Sequence, residues 1–565
     1  MRSFRPLAII VAAALVIAFV AWWRGGDRVF GDNAMPDVVS YNFHIRPILS
    51  DRCFKCHGPD AGQRKAGLRL DTEQGLYQAL NDDPGKVVVP GDPGHSALFN
   101  RISSADTAFV MPPPASRLSL APDEIALIKK WIAQGARYER HWSFLPPEKS
   151  AIPSFDNDWI RNEIDAFTLP AMKQHGLEPN GEADKERLLK RVCLDLTGLP
   201  PSPEMQKKFI ENDLPSAYEM VVDQLLASRH YGEKMAISWL DVARYADSHG
   251  YQDDGLRTMW PWRDWVIHAF NENYPFDKFI TWQLAGDLLP QPTKEMLLAT
   301  GFNRNHKITQ EGGVIDEEYR IEYVTDRTNT FGKAFLAITF ECAKCHDHKY
   351  DPISQRDYFS TFAFFNQVNE KGLVGDIQLA SLADPPKIEI TSEDVQSILK
   401  FVNKKQKENV PVMIMRDSSA RRPTHILKRG AYDAPGDPVD FGVPAQIMEF
   451  DTTKFEKNRL GLARWLVDAR NPLTARVFVN RIWQEFFGRG IVKTSGDFGM
   501  QGELPTHPAL LDWLAVDFGT NGWNVKRLVK QIVMSATYRQ SAEVTPNKLS
   551  VDPENIFLSR APRLR

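Results

Sequence analysis

Four of the chain's five cysteines fall into two copies of one pattern, Cys53-Phe54-Lys55-Cys56-His57 and Cys342-Ala343-Lys344-Cys345-His346. No other feature limits local folding so tightly. Two thiols at this spacing reach a common partner when the segment closes into about one helical turn, and the histidine then follows on the same turn. C-x-x-C-H is the attachment pattern of c-type haem. The thiols meet the two vinyl groups of the porphyrin, and the imidazole points at the iron as its proximal ligand. A thioredoxin-like pair does not require the histidine, and zinc wants a second ligand pair of matching spacing. Five cysteines in 565 residues are too few for a disulfide scaffold. The fifth, Cys193, lies on an apolar helical face in RLLKRVCLDL and reads as a buried core thiol.

An electron-transfer haem takes a second axial ligand, and methionine raises its potential. Met111 opens Met111-Pro112-Pro113-Pro114, where each proline fixes φ and stiffens the loop. Met111 is the expected distal ligand at the first site, with His44 and His95 as competitors. At the second site haem attachment is the direct reading. Zinc held by Cys342, Cys345 and one or both of His346 and His348 is a rival, and a disulfide is the third reading. The apolar run AFLAITF just before it predicts a less exposed setting than the first. His249 and His306 are the upstream candidates for its distal ligand.

The balance of 69 Lys and Arg against 72 Asp and Glu, net −3, argues against a nucleic-acid binder. Hydrophobic residues at 43% allow a buried core in a chain long enough for three or four domains. Arg2 and Arg5 precede an apolar run of seventeen residues, Leu7 to Trp23, with no small-x-small cleavage site after it. The run is read as an uncleaved signal anchor rather than a cleaved signal peptide. Either reading exports residues 30–565, to the periplasmic side of the cell envelope.

Helical and strand periodicities predict a mainly α multidomain protein. The expected divisions are the signal segment 1–30, a small helical cytochrome-c-like domain 31–140, a Pro-rich linker 141–158 and a larger helical domain 159–380. A β-rich segment 381–457 and a C-terminal helical domain 458–565 follow. Strands are expected in PPKIEI, VPVMIM and RPTHILKRG.

The stretches RPILSDRCFKCHG, PGDPGHSALFNRI, MPPP and LIKKWIAQGA resemble the planctomycete-type cytochrome c domain. Downstream, ARYADSHGYQDD, DRTNTFGKAFLAITFECAKCHDHKYDPISQRDYF and NPLTARVFVNRIWQEFFGRGIVKTSGDFG resemble the two domains of unknown function that follow it in that family. The resemblance covers nearly all of the chain after residue 40. It implies an exported haem-binding protein and names no substrate. The family's last domain runs on beyond a RAPRLR-like segment, so the C-terminal domain is expected to be incomplete. Glu485 and Phe486 stand where relatives often carry histidine, which weakens a metal role there.

Other groupings have plainer readings. Asp247, Asp253 and Asp254 fit a solvated turn better than a Ca²⁺ site. The run from Glu311 to Arg327 reads as a salt-bridged helix face, with Arg320 or Arg327 on haem propionates as the alternative. Trp260, Trp262 and Trp265 read as core rather than a sugar platform. The expected function is that of an exported, membrane-anchored c-type cytochrome. One haem c at Cys53, Cys56, His57 and Met111, and a second at Cys342, Cys345 and His346, exchange electrons with a redox partner protein and serve the downstream domains. The alternatives are a dihaem, peroxidase-like redox enzyme and a carbohydrate-binding or hydrolytic protein that carries a cytochrome module.

Overall fold

Helix punctuation in the sequence is matched by backbone geometry in the computed structural model, which describes residues 35–79, 85–154, 157–374, 381–399 and 409–563. The apolar run 7–23 lies outside these residues. Among the described residues no helix is long and apolar enough to cross a membrane. The described residues from Ser40 onward form one compact unit.

The fold is mainly α. Helix α1 (Arg46–Arg52) and the single turn α2 (Phe54–His57) carry the first cysteine pair, and α3 (Pro122–Ala133) closes that region. Ile45, Ile48, Leu49, Ile128, Trp131 and Ile132 are buried in the core, while Ile125 and Leu127 of α3 are only partly covered.

The central helices start and stop where side chains satisfy the free backbone groups. Helix α4 (Glu163–Gln174) is capped by Asn162, whose Oδ1 accepts from Ile164 N–H, while Asp165 accepts back from Asn162 N–H. Helix α5 (Lys185–Thr197) ends at Gly198, φ 71°, a left-handed residue that closes the last turn. Helix α6 (Arg229–Val242) packs on α5 and on α7 (Trp260–Asn271), and α8 (Phe276–Ala285) packs on α11 (Arg459–Val467). Helix α9 (Asp316–Phe331) packs on α10 (Gln355–Phe365), which Ser354 and Asp357 cap reciprocally. In the C-terminal part α12 (Thr474–Phe487) lies against α13 (Pro508–Thr520).

Two small antiparallel sheets interrupt the helices. Strand β1 (Lys387–Ile390) pairs with β2 (Val410–Met413), and β3 (Thr424–Leu427) with β4 (Pro435–Val439). The first three lie in the segments whose patterning predicted them. The fourth, Pro-Gly-Asp-Pro-Val, gives no strand signal, and a proline is tolerated there because each sheet has only two strands, both edges.

The stretch 141–158 begins as a wedge rather than as a free tether. Trp142 and Phe144 are buried, Trp142 lies 5.5 Å from the ring of Phe498, and Arg476 sits over its face. Trp262 and Trp265 are wholly buried, as the core reading requires, and Cys193 is buried with its Sγ 3.6 Å from Met205 Sδ.

Candidate functional site

The first C-x-x-C-H closes into the turn its spacing demands. Cys53 ends α1, its N–H donating to Leu49 O at 2.8 Å. Cys56 N–H then donates to Cys53 O at 3.1 Å and His57 N–H to the same oxygen at 2.9 Å. Buried Phe54 pins the turn from beneath. Gly58 must follow, since a Cβ there would stand 2.3 Å from Phe54 O. Cys53, Cys56 and His57 are each partly exposed.

His57 Nδ1 is buried without a hydrogen-bond partner, and desolvation lowers the pKa of the ring. Burial therefore favours the neutral imidazole, the form that binds iron. Burial likewise pushes the Cys53 thiol up to about 12. Two thiols on one turn and an adjacent imidazole whose neutral form burial favours fit haem c.

Arg101 ties the expected distal ligand to this turn. Its carbonyl accepts Met111 N–H at 3.1 Å, and its charge adds to the lowering of the His57 pKa. The competitors each have one ring nitrogen engaged. His44 Nδ1 accepts Ser40 N–H at 2.9 Å, and His95 is exposed and paired with Asp92 at 2.6 Å.

The second motif repeats the same hydrogen bonds. In the turn Glu341–Lys344, Cys345 N–H donates to Cys342 O at 3.3 Å and His346 N–H to the same oxygen at 3.4 Å. His346 Nδ1 must donate to Asp347 O at 2.7 Å, because a carbonyl only accepts, and this leaves Nε2 as the ring's ligating atom. The expected order of exposure is reversed. Cys342 and Cys345 are exposed while the first pair is only partly so. The apolar run 334–340 is itself the buried floor that lifts the motif to the surface.

Gln355 steadies this loop by donating Nε2 to Lys344 O and Leu427 O, and Gly430, φ 74°, lets the following turn approach Cys345 Sγ. His348 is built into the floor instead of joining the cysteines. Its Nδ1 accepts N–H from Asp351 at 2.8 Å and Tyr350 at 3.3 Å, and its Nε2 is 3.5 Å from Thr339 Oγ1. Among the described residues, no three His, Cys, Asp or Glu side chains are grouped as metal ligands.

Asp351 is buried below His348, and desolvation pushes its carboxyl up to about 6 from an ordinary 3.8. The folded state thus binds this proton more tightly than the unfolded chain does. The stability it contributes is full near pH 4 and lost as the pH rises through about 6, roughly 3 kcal/mol in all. Asp351→Asn keeps an acceptor for Met500 N–H and cannot ionise. Denaturant midpoints at pH 5 and pH 8 should differ less in the variant than in the parent, and equal differences would contradict the assignment.

The remaining candidates make contacts of their own. His306 is fully engaged, accepting from Arg327 Nη2 at 2.7 Å and donating Nδ1–H to Lys307 O, and His249 is buried with Nε2 on Ser381 O. Arg327 pairs with buried Glu370, and Arg320 with Glu317 and Asn366, so neither guanidinium is free for a propionate. Glu485 pairs with Lys234 at 2.9 Å, and Asp254 accepts Gly250 N–H in a local turn. Sequence reasoning missed Ser50, Met500 and Gln501, which join the two halves of the site region. Nothing in their local sequence marks that contact.

Three family models match the chain in order. Planctomycete cytochrome C covers residues 53–115, a protein of unknown function (DUF1549) covers 163–370, and a second one (DUF1553) covers 458–565. No curated protein and no solved structure matches it.

Proposed function

We infer that this chain, a planctomycete-type cytochrome c domain protein carrying the two associated planctomycete domains of unknown function, is an exported dihaem electron-transfer protein. The observation that carries the reading is the repeat of one backbone turn at both C-x-x-C-H segments, each ending in an imidazole with a nitrogen suited to iron. Cys53 and Cys56 would hold one haem c, with His57 and Met111 as its axial ligands. Cys342, Cys345 and His346 would hold the second. Haem iron supplies one-electron redox chemistry, and the axial pair and burial set its potential.

The scattered arrangement of His348 and its acidic neighbours favours haem over structural zinc, which needs four converging ligands. The apolar run 7–23 supports export with a membrane anchor and a periplasmic setting, where a soluble or membrane redox protein is the partner. A second reading, a dihaem peroxidase-like enzyme, is favoured by one observation. Cys342, Cys345 and His346 are all exposed, which leaves the second motif open to an exogenous ligand.

Met111→Ala in the full chain, matured with a periplasmic haem-attachment system, tests the first site. The thioether-to-iron charge-transfer band should vanish while the haem stays covalently bound. A surviving band removes Met111 from the iron.

A further inference from the structure

Helix α1 does more than deliver Cys53. Its buried Ser50 donates Oγ–H to Met500 O at 3.2 Å and accepts from Gln501 Nε2 at 2.8 Å. One turn earlier, Arg46 places Nη1 3.8 Å from Met500 Sδ. On the opposite side the same short turn grips the scaffold of the second motif. Met500 N–H donates to Asp351 Oδ1 at 2.7 Å, Asp351 N–H donates to His348 Nδ1 at 2.8 Å, and Phe498 N–H donates to Ala337 O at 2.7 Å. Gly499 makes the approach possible, because a Cβ there would stand 2.5 and 2.6 Å from the two Asp351 oxygens.

A continuous route therefore runs from Cys53 through Leu49, Ser50, Met500, Asp351 and His348 to His346, using only covalent bonds and hydrogen bonds. Electronic coupling decays more slowly along such a route than across a gap.

We propose that the turn 498–501 is an intramolecular electron bridge, with Ser50, Met500 and Asp351 as positioning residues that hold the two C-x-x-C-H segments as one redox-coupled pair. The inference rests on the dihaem reading and adds its internal route. The step is balanced within the chain. With haem bound at both segments, one electron would leave the site held by His57 and reduce the site held by His346, and no proton or further reactant would be consumed.

The test uses the full-length holoprotein under anaerobic conditions. After a sub-stoichiometric pulse of photogenerated flavin reductant, the two haem spectra should relax together at a rate independent of protein concentration. Ser50→Ala combined with Gly499→Ala should slow that phase, with covalent haem still at two per chain and the first site's charge-transfer band unchanged. Ser50→Ala with Gln501→Ala removes hydrogen bonds without crowding the backbone, and should slow the phase in the same direction if the glycine variant does not fold. A relaxation that scales with protein concentration in the parent, or an unchanged rate in the variants, overturns the bridge while leaving the dihaem reading intact. A covalent haem count of one overturns both, and the count tells the two failures apart.

Discussion

Glu370→Gln should cost about 3–5 kcal/mol of folding stability, the typical penalty for stripping one partner from a buried ion pair. Glu370 is 6% exposed and lies between Arg304 and Arg327, which are both at 1%. Its two carboxylate oxygens accept from both guanidinium groups. Burial by itself would raise the Glu370 pKa, yet the paired arginines outweigh it and hold the carboxyl below its usual range. Removing the negative charge leaves two cations in the core with no comparable partner, and water cannot reach them. The surface pair Lys173–Glu178 is the control, since Glu178→Gln should change stability by about 0–1 kcal/mol. Urea denaturation followed by tryptophan fluorescence reads both. Equal effects at the two positions would mean that the buried network contributes nothing special.

Replacing Cys53 and Cys56 together with alanine should remove one covalent haem and the whole His/Met spectrum. The physical ground is the turn itself. Cys53 and Cys56 are the two thiols on the turn that ends in His57, and without thioether bonds a haem there would be held only by axial ligation. The hydrogen bonds that shape the turn run between backbone atoms, so the protein around it should keep its fold. The second site should keep its haem. Unchanged stoichiometry, read from denatured protein by haem absorbance, would place attachment elsewhere.

How much of this was legible in the sequence follows the range of each interaction. The two C-x-x-C-H turns are local, closed by hydrogen bonds three and four residues apart, and spacing alone foretold them. The caps at Asn162 and Ser354 and the stop at Gly198 are equally local. The burial of Cys193, Trp262 and Trp265 followed from helical periodicity. What sequence reasoning could not reach depends on distant partners. Ser50 meets Met500 across 450 residues, and Glu370 sits alone in a polar stretch with no sign of the arginines that enclose it. Exposure at the second motif was inverted for a related reason. An apolar run predicts burial of its own residues, and AFLAITF is indeed buried, but the chain turns outward immediately after it. His348 looked like a spare ligand because it neighbours the motif, whereas its ring is committed to backbone N–H groups two and three residues on.

The central claim is that both C-x-x-C-H segments carry haem, and the most direct measurement is the covalent haem count of the intact chain. Full-length protein matured in the periplasm should give two haems per polypeptide by pyridine haemochrome, and an intact mass raised by two haem groups. Substitution of Cys342 and Cys345 with alanine should lower both values to one and leave the first site's spectrum unchanged. A count of one in the unmodified chain, with Cys342 and Cys345 recovered as free thiols, a disulfide or a zinc site, would contradict the account.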